Sequence, residues 1–336
     1  MADDIPFERE LVFEYGRVDR VAPGIRRIVA RNPSAFTFHG TGTYILGEGT
    51  VAVIDPGPDL DEHFAALAAA LEGETVSHIL VTHTHRDHSP LAARLKAATG
   101  ASTYAFGPHG TRRAGPAVEE GADYDFAPDH RLTDGDALAG EGWTIEAVHT
   151  PGHTSNHLCF ALAEERALFC GDHVMGWSTT VVSPPDGDMA AYVASLHKLL
   201  ERGDRIYYPT HGAPIAEPTS FVRALIEHRA ERERQIAQAL GRGVETIPEM
   251  VALIYTHVPD ALHGAAARSV LAHLIHMVET GRAECSGPFE EGGRFLAVSA
   301  PCAGYAGRCS AGAAARTAPG LWVFCATIRR LSRSVW

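Results

Sequence analysis

The sequence predicts an α/β protein with a smaller helical module toward its C-terminus. Three observations predict it. Short apolar runs, each closed by a Gly, Pro or polar turn, recur between residues 43 and 208. Ala-rich stretches of helical character fall between them, the alternation from which α/β layers are built. Beyond residue 240 the pattern changes to two amphipathic helices and a hairpin. A chain of 336 residues suffices for one large domain and one small one.

The elements follow in order. Thr43 to Glu48 and Val51 to Asp55 read as a strand pair joined by a Gly-containing turn. Asp61 to Leu71 is an Ala-rich helix whose leading carboxylate suits the positive end of the helix dipole. His78 to Val81 is a short buried strand, and a helix starts at Pro90. Trp143 to Val148, Leu168 to Cys170 and Ile206 to Tyr208 are further strands, with a helix over Ala190 to Leu200. A long amphipathic helix, Ser220 to Leu240, leaves this region. Ile247 to Tyr255 is a helix with Pro248 in its first turn. Ala265 to Thr280 is another, with Val270, Leu271, Leu274, Ile275 and Val278 on its apolar face and Gly281 as its stop. Extended pieces at Ala283 to Cys285 and Arg294 to Val298 complete what reads as a winged-helix module.

The chemistry concentrates in Thr82-His83-Thr84-His85-Arg86-Asp87-His88, on the loop leaving a strand, where α/β proteins place their sites. Neutral imidazole and carboxylate are the ligands of a borderline metal such as zinc. His83 and His85, two apart, can converge on one ion, and Asp87 and His88 can reach a second. Three more strand exits supply ligand types: His153 after Thr150-Pro151-Gly152, Asp172 after Cys170-Gly171, and His211 after Pro209-Thr210.

This constellation resembles the metallo-β-lactamase superfamily, whose H-x-H-x-D-H signature is matched by His83, His85, Asp87 and His88. The resemblance implies an αβ/βα sandwich of two sheets with helices outside and a dinuclear site at one sheet edge. It implies that His83, His85 and His153 bind a first metal, that Asp87, His88 and His211 bind a second, and that Asp172 bridges them. With the winged-helix piece added, the chain resembles the β-lactamase-like protein 2 branch over nearly all of residues 1–300, and residues 176–182 share that likeness. One departure is Gly42 in Gly40-Thr41-Gly42-Thr43-Tyr44, where relatives often carry Asn, so no polar substrate contact is assigned there. The expected domains are 1–220 for catalysis, 221–300 for the winged helix, and 301–336 as a disordered tail.

Composition narrows the partners. The net charge of −12 and the presence of only two lysines, Lys96 and Lys198, give no basic stripe for gripping phosphates. Arg223, Arg229, Arg232 and Arg234 share a helix with Glu227, Glu231 and Glu233, which reads as a solvated face. No apolar run is long enough to span a membrane, and the acidic N-terminus lacks the pattern of a signal peptide, so a cytoplasmic protein is expected. Cys159, Cys170 and Cys285 read as buried thiols. Residues 301–336 stand apart, with five arginines and no acids; without them the charge is 24 − 41 = −17.

The expected activity is hydrolysis of an ester, thioester or related small molecule by a hydroxide bridging two Zn2+ ions, with Mn2+ or Fe as alternative metals. Asp87 would bind one metal and orient the attacking oxygen. Asp55, at its strand end, is a candidate acceptor for the outer N–H of a ligand histidine. His157 and His173 lie close to ligands in sequence and are candidates to support them or touch substrate, as are Thr180 and Tyr192 near the expected mouth. The resemblance also implies an alternative, since the branch includes an endoribonuclease acting on single-stranded RNA. A homo-oligomer is compatible with the module.

Overall fold

The computed structural model describes residues 5–110 and 121–298. The tail at 301–336 lies outside the described residues, as does the expectation that it is disordered. The described residues form one compact unit that ends at Val298.

Seven strands form the first sheet in chain order: β1 (Val18–Ala22), β2 (Ile25–Val29), β3 (Gly42–Leu46), β4 (Thr50–Ile54), β5 (Thr75–Leu80), β6 (Ser102–Ala105) and β7 (His130–Arg131). The β1 to β4 neighbours are antiparallel and the β4 to β7 neighbours parallel. The parallel crossovers carry α1 (Asp61–Ala70) and α2 (Leu91–Thr99). The second sheet holds β8 (Ala137–Gly140), β9 (Trp143–His149), β10 (Leu158–Leu162), β11 (Ala167–Gly171) and β12 (Ile206–Pro209), with only β11 and β12 parallel, connected through α3 (Met189–Leu200).

Side-chain alternation on the strands builds four layers. Tyr44, Leu46, Ala52, Ile54 and Leu80 face Ile145, Phe160, Phe169 and Tyr208 across the two sheets. Their neighbours Ile45, Val51, Val53 and Ile79 turn the other way, onto Leu67 of α1 and Leu91 and Leu95 of α2. On the second sheet Cys159, Ala161, Leu168 and Cys170 meet Tyr192, Leu196 and Leu199 of α3. Both faces of the central strands are covered, so β3, β10 and β11 are buried at every position. The expected αβ/βα sandwich is observed.

A small winged-helix unit follows: α4 (Pro218–Gly241), α5 (Ile247–Ile254), α6 (His263–Glu279), and a hairpin of β13 (Ala283–Ser286) and β14 (Arg294–Ala297). Helix α4 belongs to two cores. Phe221, Val222 and Leu225 pack behind the second sheet, whereas Ile236, Ala239 and Leu240 join Met250, Leu274 and Phe295 in the winged-helix core. Cys285, expected to be buried, is half-exposed, because the two-stranded hairpin has a solvent face. Among the described residues no helix is long and apolar enough to cross a membrane.

The face of α4 read as solvated is only partly so. Arg229 is 4% exposed, Arg232 stacks over the Tyr255 ring at 4.2 Å, and Glu233 accepts from His276 Nδ1 at 2.7 Å and from Arg282. His273 of α6 is fully buried, with Nδ1 3.5 Å from Glu233 Oε1, too long for a strong hydrogen bond. Burial, helped by the Arg229 and Arg232 guanidiniums, pushes its pKa down to about 4. Below pH ~6.5 the unfolded chain binds a proton there that the folded chain refuses. The folded state therefore loses about 1.4 kcal/mol per pH unit at this residue as pH falls from ~6.5 toward 4. His273→Leu should become more stable relative to wild type by up to that slope on acidification, measured by urea unfolding at pH 7 and pH 5. Parallel pH curves for the two proteins would contradict it.

Candidate metal centre

Five strand exits meet at one edge of the sandwich. Asp55 follows β4, residues 83–88 follow β5, His153 follows β9, Asp172 follows β11, and His211 follows β12. Two glycines make the approach possible. Gly152 has φ +142°, and a Cβ there would lie 2.3 Å from the Tyr192 Cα of α3. Gly171 has φ +50°, and a Cβ there would lie 2.6 Å from His157 Nε2.

The seven residues expected as ligands come together. Three groups have ligand atoms within 4.8 Å of one another: His83, His85 and His153; His83, His88 and Asp172; and Asp87, His88 and His211. His83, Asp87, His88, His153, Asp172 and His211 are all buried. Asp87 Oδ2 lies 3.1 Å from His211 Nε2 and 3.2 Å from His88 Nε2, and Asp172 Oδ2 lies 3.4 and 3.5 Å from the same two atoms.

The outer nitrogens of the imidazoles decide which lone pairs point inward. His153 Nδ1 donates to Val181 O at 2.7 Å, and His211 Nδ1 donates to Gly40 O at 3.1 Å; a carbonyl can only accept. His88 Nδ1 donates to Asp55 Oδ2 at 2.9 Å. Thr82 Oγ1 donates to Asp55 Oδ2 at 2.8 Å and so accepts from His83 Nδ1 at 3.1 Å. Four rings thus keep Nε2 facing the cluster, and His85 turns Nδ1 inward, 3.1 Å from the Nε2 atoms of both His83 and His153. Facing lone pairs at that distance repel unless a cation or proton lies between them. A tetrahedral ion with bonds of ~2.0–2.1 Å would hold neighbouring ligand atoms about 3.3 Å apart. His88 Nε2 and Asp172 Oδ1 are buried without a hydrogen-bond partner. The donor set therefore fits divalent metal.

Electrostatics agree. Burial, then the neighbouring imidazoles, holds His83 and His85 well below the usual histidine range, in the neutral form that ligates. For His88 and His211 burial acts in the same sense but loses to the Asp87 and Asp172 carboxylates, which raise His88 well above its usual range and His211 to about 10. Asp87 and Asp172 are held well below the carboxylate range, burial being outweighed by His88 and His211.

Asp55 is the hub behind the cluster. It sits one residue past β4 with φ 50°, beyond the strand end expected of it, and is buried. Its carboxylate accepts from the Thr82 N–H at 2.8 Å, from Thr82 Oγ1, from His88 Nδ1 and from Thr210 Oγ1 at 3.1 Å. His157 is also supporting: its Nε2 accepts from the Asp172 N–H at 3.2 Å, which leaves Nδ1 to donate to Thr150 Oγ1 at 2.9 Å. His173 is buried behind Asp172 against the Tyr192 ring, with neither ring nitrogen partnered, and burial pushes its pKa down to about 3. Thr180 and Tyr192, expected near the mouth, are instead buried behind it. Thr180 Oγ1 donates to Asp172 O and His173 O, and Tyr192 OH donates to His173 O, so the carbonyls of the turn after β11 draw both hydroxyls inward.

Sequence reading missed several participants. Thr41 Oγ1 donates to Asp87 Oδ2 at 3.0 Å and is itself held by Asn32 Nδ2. Nothing in the local sequence announces that contact. Thr82 and Thr210 did leave a signal, since each directly precedes a ligand-type histidine at a strand exit. Arg229 belongs to the region as well: its Nη2 donates to Thr180 O at 2.6 Å.

Comparison with known proteins agrees with this geometry. The family profile described as Metallo-beta-lactamase superfamily matches residues 37–211, and the one described as Beta-lactamase associated winged helix domain matches residues 246–288. The chain is 34% identical over 258 residues to an atrochrysone carboxyl ACP thioesterase of Aspergillus chevalieri, covering 72% of this chain and 77% of that protein. It is 33% identical over 285 residues to the Beta-lactamase-like protein 2 homolog of Drosophila melanogaster, covering 82% and 94%. A solved β-lactamase domain protein from Burkholderia ambifaria superposes with a TM-score of 0.71 at 20% identity, covering 86% and 96%.

Asp55→Ala removes the acceptor that orients His88 and, through Thr82, His83. It should weaken metal uptake about ten- to a hundredfold, measured by competition with a chromophoric chelator. Unchanged affinity would show that Asp55 holds the backbone only.

Proposed function

The chain belongs to the metallo-β-lactamase superfamily, and from that premise we propose that it is a dinuclear zinc hydrolase of a small acyl thioester or ester. The observation that carries the proposal is the convergence of His83, His85, Asp87, His88, His153, Asp172 and His211 in three overlapping groups, with the outer nitrogens of His83, His88, His153 and His211 tied back. His83, His85 and His153 would hold one cation, Asp87, His88 and His211 the other, and Asp172 would lie between them. Two divalent ions bound there supply an activated water at neutral pH and polarise the acyl oxygen.

The chain's own groups supply the rest. Asp87, anchored by Thr41, is placed to orient the attacking water and take its proton. The C–S bond then breaks as the C–O bond forms. The leaving thiolate needs no acid of its own, because a thiol with pKa ~8.5 departs readily. Phe36, Met175 and Val181 form the apolar side of the cavity beside His85, Asp87 and Asp172. Support for thioesters in particular comes from the Aspergillus relative's name. The ribonuclease alternative would call for arginines or lysines that hold a strand, and the described lining of this cavity has neither.

The test is a panel of acyl thioesters, lactones, phosphodiesters and single-stranded RNA, offered to the full chain with and without chelator and to Asp87→Ala. Thioester turnover should be lost with chelator, return with zinc, and fall below about a tenth in Asp87→Ala, a barrier rise beyond roughly 1.4 kcal/mol. RNA cleavage by a protein that turns over no thioester or ester would overturn the proposal in favour of the ribonuclease.

A further inference from the structure

Arg229 is 96% buried on α4, where the helix passes behind the metal centre. A buried guanidinium is costly unless paired, yet among the described residues no carboxylate comes within salt-bridge distance of it, and its Nε has no partner. Its contacts are the Thr180 carbonyl at 2.6 Å and the face of the Tyr192 ring at 5.0 Å. The segment it grips does two things. Thr180 Oγ1 donates to the Asp172 carbonyl at 2.8 Å, and the next carbonyl, Val181 O, accepts from His153 Nδ1 at 2.7 Å.

We infer that Arg229 is a positioning residue that pins Thr180-Val181, so that this segment orients a candidate ligand of each metal position, His153 and Asp172, at once. The inference rests on the reading of the site as a metal centre. It also gives α4 a role beyond packing. The helix carries the winged-helix core at one end and this guanidinium in its middle, so a shift of α4 would move the Thr180 carbonyl and loosen both ligands. Arg232, one turn-step away on the same helix, stacks on Tyr255 and has no part in the chain.

The experiment compares wild type, Arg229→Met, Arg229→Lys, Thr180→Val, Thr180→Ser, the Arg229→Met/Thr180→Val double variant and Arg232→Met. Each is stripped, then titrated with zinc against a chromophoric chelator and with cobalt(II) for its ligand-field spectrum. Arg229→Met and Thr180→Val should each weaken zinc binding about ten- to a hundredfold and alter the cobalt spectrum. The double variant should be little worse than the worse single one, since both act on one chain. Arg229→Lys and Thr180→Ser should recover part of the loss, and Arg232→Met should match wild type. Wild-type affinity and spectrum in Thr180→Val and in whichever Arg229 variant folds would overturn the inference, even with a lowered melting temperature. Failure of the wild type to take up any metal would instead overturn the reading of the site.

Discussion

Five imidazoles and two carboxylates crowded at one sheet edge cannot be left with their lone pairs facing one another. That constraint organises the rest of the molecule. Four of the five rings are fixed by what their outer nitrogens meet: Asp55 for His88, Thr82 for His83, and the Val181 and Gly40 carbonyls for His153 and His211. With those donors spent outward, the inner nitrogens can serve only a cation or a proton. The Asp87 and Asp172 carboxylates raise the pKa of the His88 and His211 imidazoles they face.

The four-layer fold exists to bring those groups to one place. Parallel crossovers in the first sheet put the exits of β4 and β5 side by side, and the β11–β12 pair does the same in the second. Apolar contact between Tyr44, Phe169 and Tyr208 sets the two sheets face to face. Tyr44 OH also donates to Pro209 O at 2.7 Å, two residues from His211, so the inter-sheet core and the site share a bond. A close-packed core of this kind fixes ligand positions more tightly than loops alone can.

How much of this the sequence revealed depends on range. The cluster was legible because His83 to His88 are contiguous and each remaining member ends an apolar strand run beside Gly or Pro. Asp55 was legible as an acceptor for the same reason. Contacts made across long stretches of chain were not. Thr41 to Asp87 and Arg229 to Thr180 depend on how sheets and helices meet, which no local pattern encodes. Arg229 was misread because interleaved Arg and Glu suggest a solvated helix, and the packing of α4 against the second sheet overrode that. Thr180 and Tyr192 were expected at the mouth because they lie near ligands in sequence, but their hydroxyls are drawn inward by the carbonyls of the turn after β11.

The central claim is that the cluster is a two-metal site with Asp172 shared. Anomalous diffraction at the zinc edge from crystals of the full chain grown with zinc tests it most directly. Two peaks about 3.5–4 Å apart are expected, one bonded by His83, His85 and His153 and the other by Asp87, His88 and His211, with Asp172 touching both. No peak there, or zinc held only at surface histidines, would contradict the account.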